Sequence, residues 1–273
     1  MCSIKLIVSD LDGTLLSERH ELEQEVLDSI ERFRASGGQF TIATGRPLIT
    51  ALPILQRLNI ELPVILCNGA VIAQDGHIVE QHCFSLAKLS HLLIEAYNQG
   101  LTILLFHHSN VFIFEHTADA KVYEQKEKIS CTVISLEGME WVEKQAEKVM
   151  LIGDIERSLF LWMKYQSTLG DHFGAFQSEY NYLEIVDKSC SKGSAVTTVA
   201  ELLGVSREQI MTIGNEMNDL PMYSASAVGV AVANGREGLK EAADYICQKA
   251  YGQGVVEAIE RFALEAALQR GAE

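Results

Sequence analysis

Ile4-Lys5-Leu6-Ile7-Val8-Ser9-Asp10-Leu11-Asp12-Gly13-Thr14 is the stretch that decides the fold. Residues 4–8 are β-branched and apolar on both alternating faces, as expected of a strand buried between two helical layers. The run stops at Ser9 and Asp10. Asp10 and Asp12 therefore stand at the C-terminal end of a strand, the edge where open α/β sheets bind ligands. Two carboxylates two residues apart can converge on one reacting atom only if the chain leaves strand geometry, and Gly13 permits that turn. A turn with solvated acids is the competing reading. At average composition a D-x-D-G-T pattern arises by chance in roughly one chain of this length in a few hundred.

Outward from this strand, Leu22, Val26, Ile30 and Phe33 recur at helical spacing, with Gly37 and Gly38 where a helix C-terminus wants positive φ. Residues 40–43 read as a second buried strand, 48–58 as a helix opened by Pro47, and 64–66 as a third strand. This β-α-β-α-β alternation predicts an α/β fold with a doubly wound, parallel, Rossmann-like sheet. After Gly69 the rhythm pauses, because residues 70–73 and 77–81 flank an Asp75-Gly76 hairpin turn. Residues 83–187 then supply a helix (86–97), a strand pair (101–106 with 111–114) and strands at 149–152 and 182–186, about a domain's worth of chain. The α/β rhythm resumes with a helix over 191–203 ended by Gly204, a strand at 210–213, a helix over Leu220, a strand at 228–231 and a final helix over 255–268. The expected organisation is a core domain of residues 1–82 and 188–273, split by an inserted α/β domain of residues 83–187.

With 273 residues, 48% hydrophobic content, 20 Gly and only 4 Pro, the chain can bury a large core, which excludes disorder and fibrous repeats. Its 37 Asp plus Glu against 22 Lys plus Arg leave a net charge of -15. That charge repels phosphate backbones and anionic lipid, so neither nucleic acid nor membrane is an expected partner. Asp10 and Asp12 interrupt the apolar start before a secretion signal could form, and a soluble, cytoplasmic protein is expected. Cys2, Cys67, Cys83, Cys131, Cys190 and Cys247 are scattered without a C-x-x-C pair, which reads as reduced, structural thiols. The absence of G-x-G-x-x-G and of G-x-x-x-x-G-K-[ST] argues against a dinucleotide oxidoreductase and a P-loop kinase.

Three further segments carry chemistry. Thr44-Gly45-Arg46 follows the second strand and offers a hydroxyl, a permissive backbone and a guanidinium suited to phosphate oxygens, with a helix N-cap at Thr44 as the plain alternative. Lys192-Gly193 opens a helix, where a lysine is unfavourable for the dipole; alone it would be a surface lysine. Gly214-Asn215-Glu216-Met217-Asn218-Asp219 follows another strand and gathers hard oxygen ligands of the kind Mg²⁺ prefers, or else a helix N-terminus capped by Asn. His107 and His108 end a strand of the insert and read as a surface loop that could meet substrate. His20 reads as solvated, Tyr180, Asn181 and Tyr182 as hairpin residues, and Cys190 as a thiol without an activating neighbour.

Taken in this order and at these strand ends, the four segments resemble the haloacid dehalogenase superfamily of phosphohydrolases. The insert, with Cys67-Asn68-Gly69-Ala70 before a hairpin, resembles the Cof-type subfamily and its α/β cap. The resemblance implies a phosphoric monoester hydrolase in which Asp10 is the nucleophile, forming a phosphoaspartyl intermediate, and Asp12 the general acid and base. It further implies that Thr44, Gly45, Lys192 and Asn218 hold the phosphoryl group, that Arg46 and Asn68 line the substrate entrance, and that Mg²⁺ sits among Asp10, Asp12, Asn215 and Asp219. The physics agrees, because two carboxylates and a phosphate dianion cannot approach one another unless a divalent cation and a lysine neutralise them. Members of the family usually carry an aspartate at the position of Asn215, whose amide oxygen can ligate but brings no charge. That departure keeps two alternatives in view, a phosphometabolite-binding protein without turnover and a phosphomutase. The expected substrate is a small phosphorylated metabolite, sugar phosphates first and phosphorylated cofactors such as pyridoxal phosphate or flavin mononucleotide behind. Oligomeric state is not legible.

Overall fold

The structure is a computed structural model that describes residues 3–264. It divides into two compact units: Arg46–Leu52 with Ile78–Cys190 forms one, and the rest of the described chain forms the other.

The unit that holds Asp10 is built on a five-stranded parallel sheet in the order Tyr245–Ile246, Val228–Ala231, Ile210–Gly214, Leu6–Ser9, Gln39–Ile42. Leu6–Ser9 is central and wholly buried, which is why its sequence is apolar on both faces. Leu6 and Val8 pack with Val196, Val199 and Met222 of the helices Lys192–Leu203 and Leu220–Ser224. Ile7 faces the other way by strand alternation and is fully buried too. The register sets Ser9 beside both Ile213 and Ile42, so three strand ends line up on one edge.

The third predicted strand departs from the doubly wound pattern. Val64–Leu66 joins the parallel sheet only through a single Ala43–Ile65 bridge and then runs antiparallel to Val71–Gln74. Asp75 and Gly76, both at positive φ, turn the chain into His77–Gln81, as a two-residue hairpin requires. At the other end, Tyr251–Ile259 is α-helical and Glu260–Leu264 continues it as a wider turn; the part of the predicted helix beyond residue 264, like Cys2, lies outside the described residues.

The second unit centres on a six-stranded sheet in the order Phe173–Glu179, Tyr182–Asp187, Lys148–Ile152, Thr102–His107, Asn110–Ile113, Thr132–Val133, antiparallel except for the last pair. Its central strands, Lys148–Ile152 and Thr102–His107, are buried along nearly their whole length because both faces are covered. Ile103, Leu105, Val149 and Leu151 pack with Leu92, Leu93, Leu161 and Trp162, and Leu104, Phe106, Met150 and Ile152 pack with Ala120 and Tyr123. The expected helix over 86–97 is a 3-10 turn, Leu86–Leu89, leading into the α-helix Ser90–Asn98. Two helices absent from the sequence reading, Ala118–Glu127 and Ile155–Leu169, complete the unit. Among the described residues no helix is long and apolar enough to cross a membrane.

Candidate active site

Immediately after the central strand the chain abandons regular geometry. Asp10 and Asp12 stay extended while Gly13 takes φ +80, and Leu16 N–H closes the loop on the Leu11 carbonyl at 3.0 Å. Glycine is required at position 13 twice over, since a Cβ there would also come within 2.4 Å of the Asn215 carboxamide. The loop leaves Asp10 only 4% exposed and Asp12 with about a third of its side chain in solvent, 35%.

Lys192 reaches this loop from the first turn of its helix. Its Nζ donates to Asp10 Oδ1 and to Asp219 Oδ1, both at 2.6 Å, with the lysine side chain 1% exposed. Burial alone would lower its pKa, but attraction to Asp10 and Asp219 outweighs that and holds the ammonium well above its ordinary range. Burial pushes the Asp10 carboxyl up to about 7 against the pull of Lys192, with Asp219 and Asp12 adding to the rise. One lysine thus pairs with two carboxylates, and Asp12 adds a third negative charge beside Asp10.

The turn after Ile210–Gly214 divides its residues between two tasks. Asp219 Oδ2 accepts the backbone N–H groups of Asn215 and Glu216 at 2.8 and 3.0 Å, while Oδ1 receives Lys192. Both oxygens of this fully buried carboxylate therefore hold the loop and the lysine. The Asn215 side chain instead enters the Asp10 loop. With its amide nitrogen facing the acceptors around it, it donates to Thr14 Oγ1 at 2.8 Å, Asp10 Oδ2 at 3.0 Å and the Asp12 carbonyl at 3.2 Å. A carboxylate oxygen, a backbone carbonyl and an amide that can present either its N–H or its oxygen converge here, a hard donor set that suits Mg²⁺ with water completing its shell.

The remaining motifs meet at the same sheet edge. Thr44 is 1% exposed; its N–H donates to the Ile65 carbonyl and its own carbonyl accepts from Asn68 N–H. Cys67, Asn68 and Gly69 all take positive φ. At Gly69 the turn comes so near the Lys192 helix that a Cβ would lie 2.2 Å from the Ser191 carbonyl oxygen. The turn aims Asn68 Oδ1 at Asn218, whose amide donates to it at 2.9 Å, and a Cβ on Gly45 would sit 3.2 Å from the Asn68 amide. Arg46 goes elsewhere: it groups with the second unit and ion-pairs with Glu127 at 3.1 Å.

The family model for haloacid dehalogenase-like hydrolases matches residues 7–259. The chain belongs to that family. A phosphoglycolate phosphatase of Methanosarcina acetivorans is 28% identical over 256 residues, covering 94% of this chain and 95% of its own. A Bacillus subtilis 5-amino-6-(5-phospho-D-ribitylamino)uracil phosphatase is 25% identical over 254 residues, 88% of this chain and 90% of its own. In three dimensions the chain superposes on a Thermotoga maritima crystal structure with a TM-score of 0.82 at 25% identity, over 95% of this chain and 98% of that one. This haloacid dehalogenase-like hydrolase is accordingly a Cof-type phosphatase, a phosphoric monoester hydrolase with an α/β core and a capping unit.

Two contacts of this hydrolase escaped the sequence reading. His20 Nδ1 meets Asp12 Oδ1 at 3.1 Å, although His20 had read as solvated; about half of its side chain is exposed, 49%, so both readings describe part of it. Asn234 donates to the Gly13 carbonyl at 2.8 Å and accepts from Tyr251 N–H, pinning the Asp10 loop from a segment without a motif. An eight-residue separation on a loop carries no periodic signal for the first, and nothing local marks the second.

Proposed function

We propose that this phosphatase hydrolyses a small phosphorylated metabolite, a sugar phosphate in first place, through a phosphoaspartyl intermediate on Asp10 with Mg²⁺ as cofactor. The observation that carries the reading is Lys192 bridging Asp10 and Asp219 while the Asn215 amide closes on Asp10 Oδ2 and the Asp12 carbonyl. Among the relatives, one is named for phosphoglycolate, one for a phosphorylated ribityl compound and one for HMP-PP, and all three names support a small phosphorylated metabolite.

Asp10 attacks phosphorus as the bond from phosphorus to the leaving oxygen breaks, and Asp12 passes its proton to that oxygen. Asp12 then takes a proton from water, whose oxygen attacks phosphorus, freeing Asp10 and inorganic phosphate. The partial exposure of Asp12 suits both exchanges. Lys192 holds the Asp10 carboxylate in one orientation and offsets charge that builds on the phosphoryl oxygens. Thr44, Gly45 and Asn218 receive the phosphoryl group, Asn68 orients Asn218, and Arg46 and Asn68 serve the substrate entrance. Mg²⁺ would be held by Asp10, the Asp12 carbonyl and Asn215, and would supply the charge neutralisation that lets a phosphate dianion approach. Asp219 belongs to this shell indirectly, through its grip on Lys192 and on the Asn215 backbone.

We assign residues 83–187 as the cap that confers substrate choice on the core of residues 1–82 and 188–273. The neutral Asn215 favours one second reading, a phosphometabolite-binding protein that does not turn over. Phosphate release from a panel of sugar phosphates, phosphoglycolate, pyridoxal phosphate and flavin mononucleotide, with Mg²⁺ and with chelator, decides between them. Release from at least one sugar phosphate that chelation abolishes is the expected result. Binding without release would support the second reading, and conversion of a sugar bisphosphate without free phosphate would make the enzyme a phosphomutase.

A further inference from the structure

A second group of ligating side chains lies wholly within the other unit. Cys83, His107 and Glu147 bring a thiol sulfur, an imidazole nitrogen and a carboxylate oxygen within 4.8 Å of one another. The sheet register puts them there. Ala146 pairs with Phe84 and Lys148 with Phe106 in antiparallel ladders, so Glu147, at the bend between Gln145–Ala146 and Lys148–Ile152, falls between Cys83, the residue before Phe84–Ser85, and His107, the last residue of Thr102–His107. His107 is on a strand and the other two are each next to one, which ties their backbone to the sheet.

Glu147 is the observation that asks for a ligand. It is 0% exposed, its Oε1 accepts from the His108 backbone N–H at 2.7 Å, and its Oε2 is buried without a hydrogen-bond partner among the described residues. A buried carboxylate oxygen left unpaired is costly. The Lys148 ammonium on the next residue is held by Glu184 at 3.1 Å. Cys83 Sγ lies 3.9 Å from His107 Nδ1, close to the roughly 3.6 Å that tetrahedral geometry sets between a sulfur and a nitrogen on one zinc ion.

We propose that Cys83, His107 and Glu147 bind a borderline divalent cation, Zn²⁺ above all, sharing no residue with the Asp10 site. Thiolate and imidazole select Zn²⁺ over Mg²⁺, which takes oxygen almost exclusively. Three protein ligands leave a fourth position for water. The His108 N–H orients the carboxylate from behind, as outer partners of metal ligands commonly do. Binding displaces the Cys83 thiol proton, which leaves to solvent, and the Gln81 amide that donates to that sulfur at 3.4 Å turns away. Without a cation, burial and Glu147 hold the Cys83 thiol up at about 11, and burial, His108 and Lys144 keep His107 below its ordinary range. The nearby Lys144 charge works against any cation, so the site depends on the Glu147 Oε2 that no hydrogen bond among the described residues occupies.

Co²⁺ is the probe, titrated into the chelator-treated full chain with excess Mg²⁺ present to cover the Asp10 site. The expected result is a thiolate-to-cobalt charge-transfer band that saturates at one Co²⁺ per chain and is abolished by Zn²⁺. Cys83→Ser should eliminate the band, while His107→Asn and Glu147→Gln should each weaken binding at least about tenfold, with circular dichroism confirming the fold. Asp10→Asn should leave the band intact. No band in the wild type, a band that survives Cys83→Ser, or Zn²⁺ affinity unaltered by His107→Asn and Glu147→Gln would overturn the proposal. If Cys83→Ser fails to fold, the other two variants decide alone.

Discussion

Replacing Asn215 by Asp tests the site most directly, because the amide does something no carboxylate can. With its nitrogen facing them, it donates to Asp10 Oδ2 at 3.0 Å and to the Asp12 carbonyl at 3.2 Å. Asn215→Asp removes those donors and sets a second carboxylate about 3 Å from Asp10, a repulsion of about 5 kcal/mol at an effective dielectric near 20. Lys192 and proton uptake relieve part of it, so the net loss of stability without metal should be about 1–3 kcal/mol. A bound divalent cation removes the repulsion and gains a charged ligand. Since about 1.4 kcal/mol is tenfold in affinity, half-saturation by Mg²⁺ should fall by about 10–100-fold. Calorimetric titration of Mg²⁺ and thermal unfolding with and without chelator measure the two halves separately. The turnover number is free to move either way, because binding gained in ground and transition state alike need not speed the reaction. Unchanged Mg²⁺ affinity together with an unchanged melting temperature in chelator would remove Asn215 from the metal shell and refute the reasoning.

Four further substitutions probe the other roles. Asp10→Asn should abolish phosphate release while circular dichroism stays native, since an amide is a poor nucleophile; appreciable turnover in a preparation free of other phosphatases would take Asp10 out of the mechanism. Asp12→Asn should slow alkyl esters by about 10² to 10⁴ and aryl esters far less, because aryl leaving groups need little protonation; equal losses would count against an acid and base role. His20→Gln should shift the pH profile for alkyl esters and cost no more than about tenfold in kcat, and an identical profile would leave the contact with Asp12 incidental. Gly13→Ala should cost activity and stability together, since it forces both a strained φ and a collision with Asn215; a wild-type melting temperature would contradict the close approach.

The sequence exposed the fold wherever burial was two-sided and the helices regular. Leu6–Ser9 and Ile210–Gly214 are buried throughout and apolar apart from Ser9 and Thr212, and Lys192–Leu203 ends where Gly204 takes φ 65. Legibility failed where burial did not follow a period. Ala118–Glu127 buries only Ala120 and Tyr123 among polar neighbours, and Ile155–Leu169 leaves Phe160 71% exposed beside a buried Leu161. The first has almost no apolar stripe, and in the second the stripe of Leu161, Trp162 and Leu169 is blurred by exposed apolar residues such as Phe160. The antiparallel edge from Val64 onward was half legible, since the Asp75-Gly76 turn announces a hairpin but nothing in residues 64–66 reveals that only one bridge ties them to Ala43.

At the proposed site, the segments that meet were readable in the sequence, and how their side chains meet was not. Strand ends could be located by where apolar runs stop, but the sheet order that sets Ile210–Gly214 and Gln39–Ile42 on either side of Leu6–Ser9 comes from pairings across the whole chain. Only that order makes Lys192 a neighbour of Asp10 across 182 positions and Asn215 a neighbour of Thr14 across 201. The sequence offered Asp219 and Asn215 as equal candidates for a metal shell. The folded turn separates them, because Asp219 commits one oxygen to Lys192 and the other to two backbone amides, while the Asn215 side chain alone enters the Asp10 loop. That separation sharpens the meaning of the missing charge. If Mg²⁺ binds here as proposed and Asp219 is spent on the lysine, the cation would meet one carboxylate, Asp10, and otherwise neutral oxygens, and the identity of residue 215 should then set how much Mg²⁺ half-saturates the site.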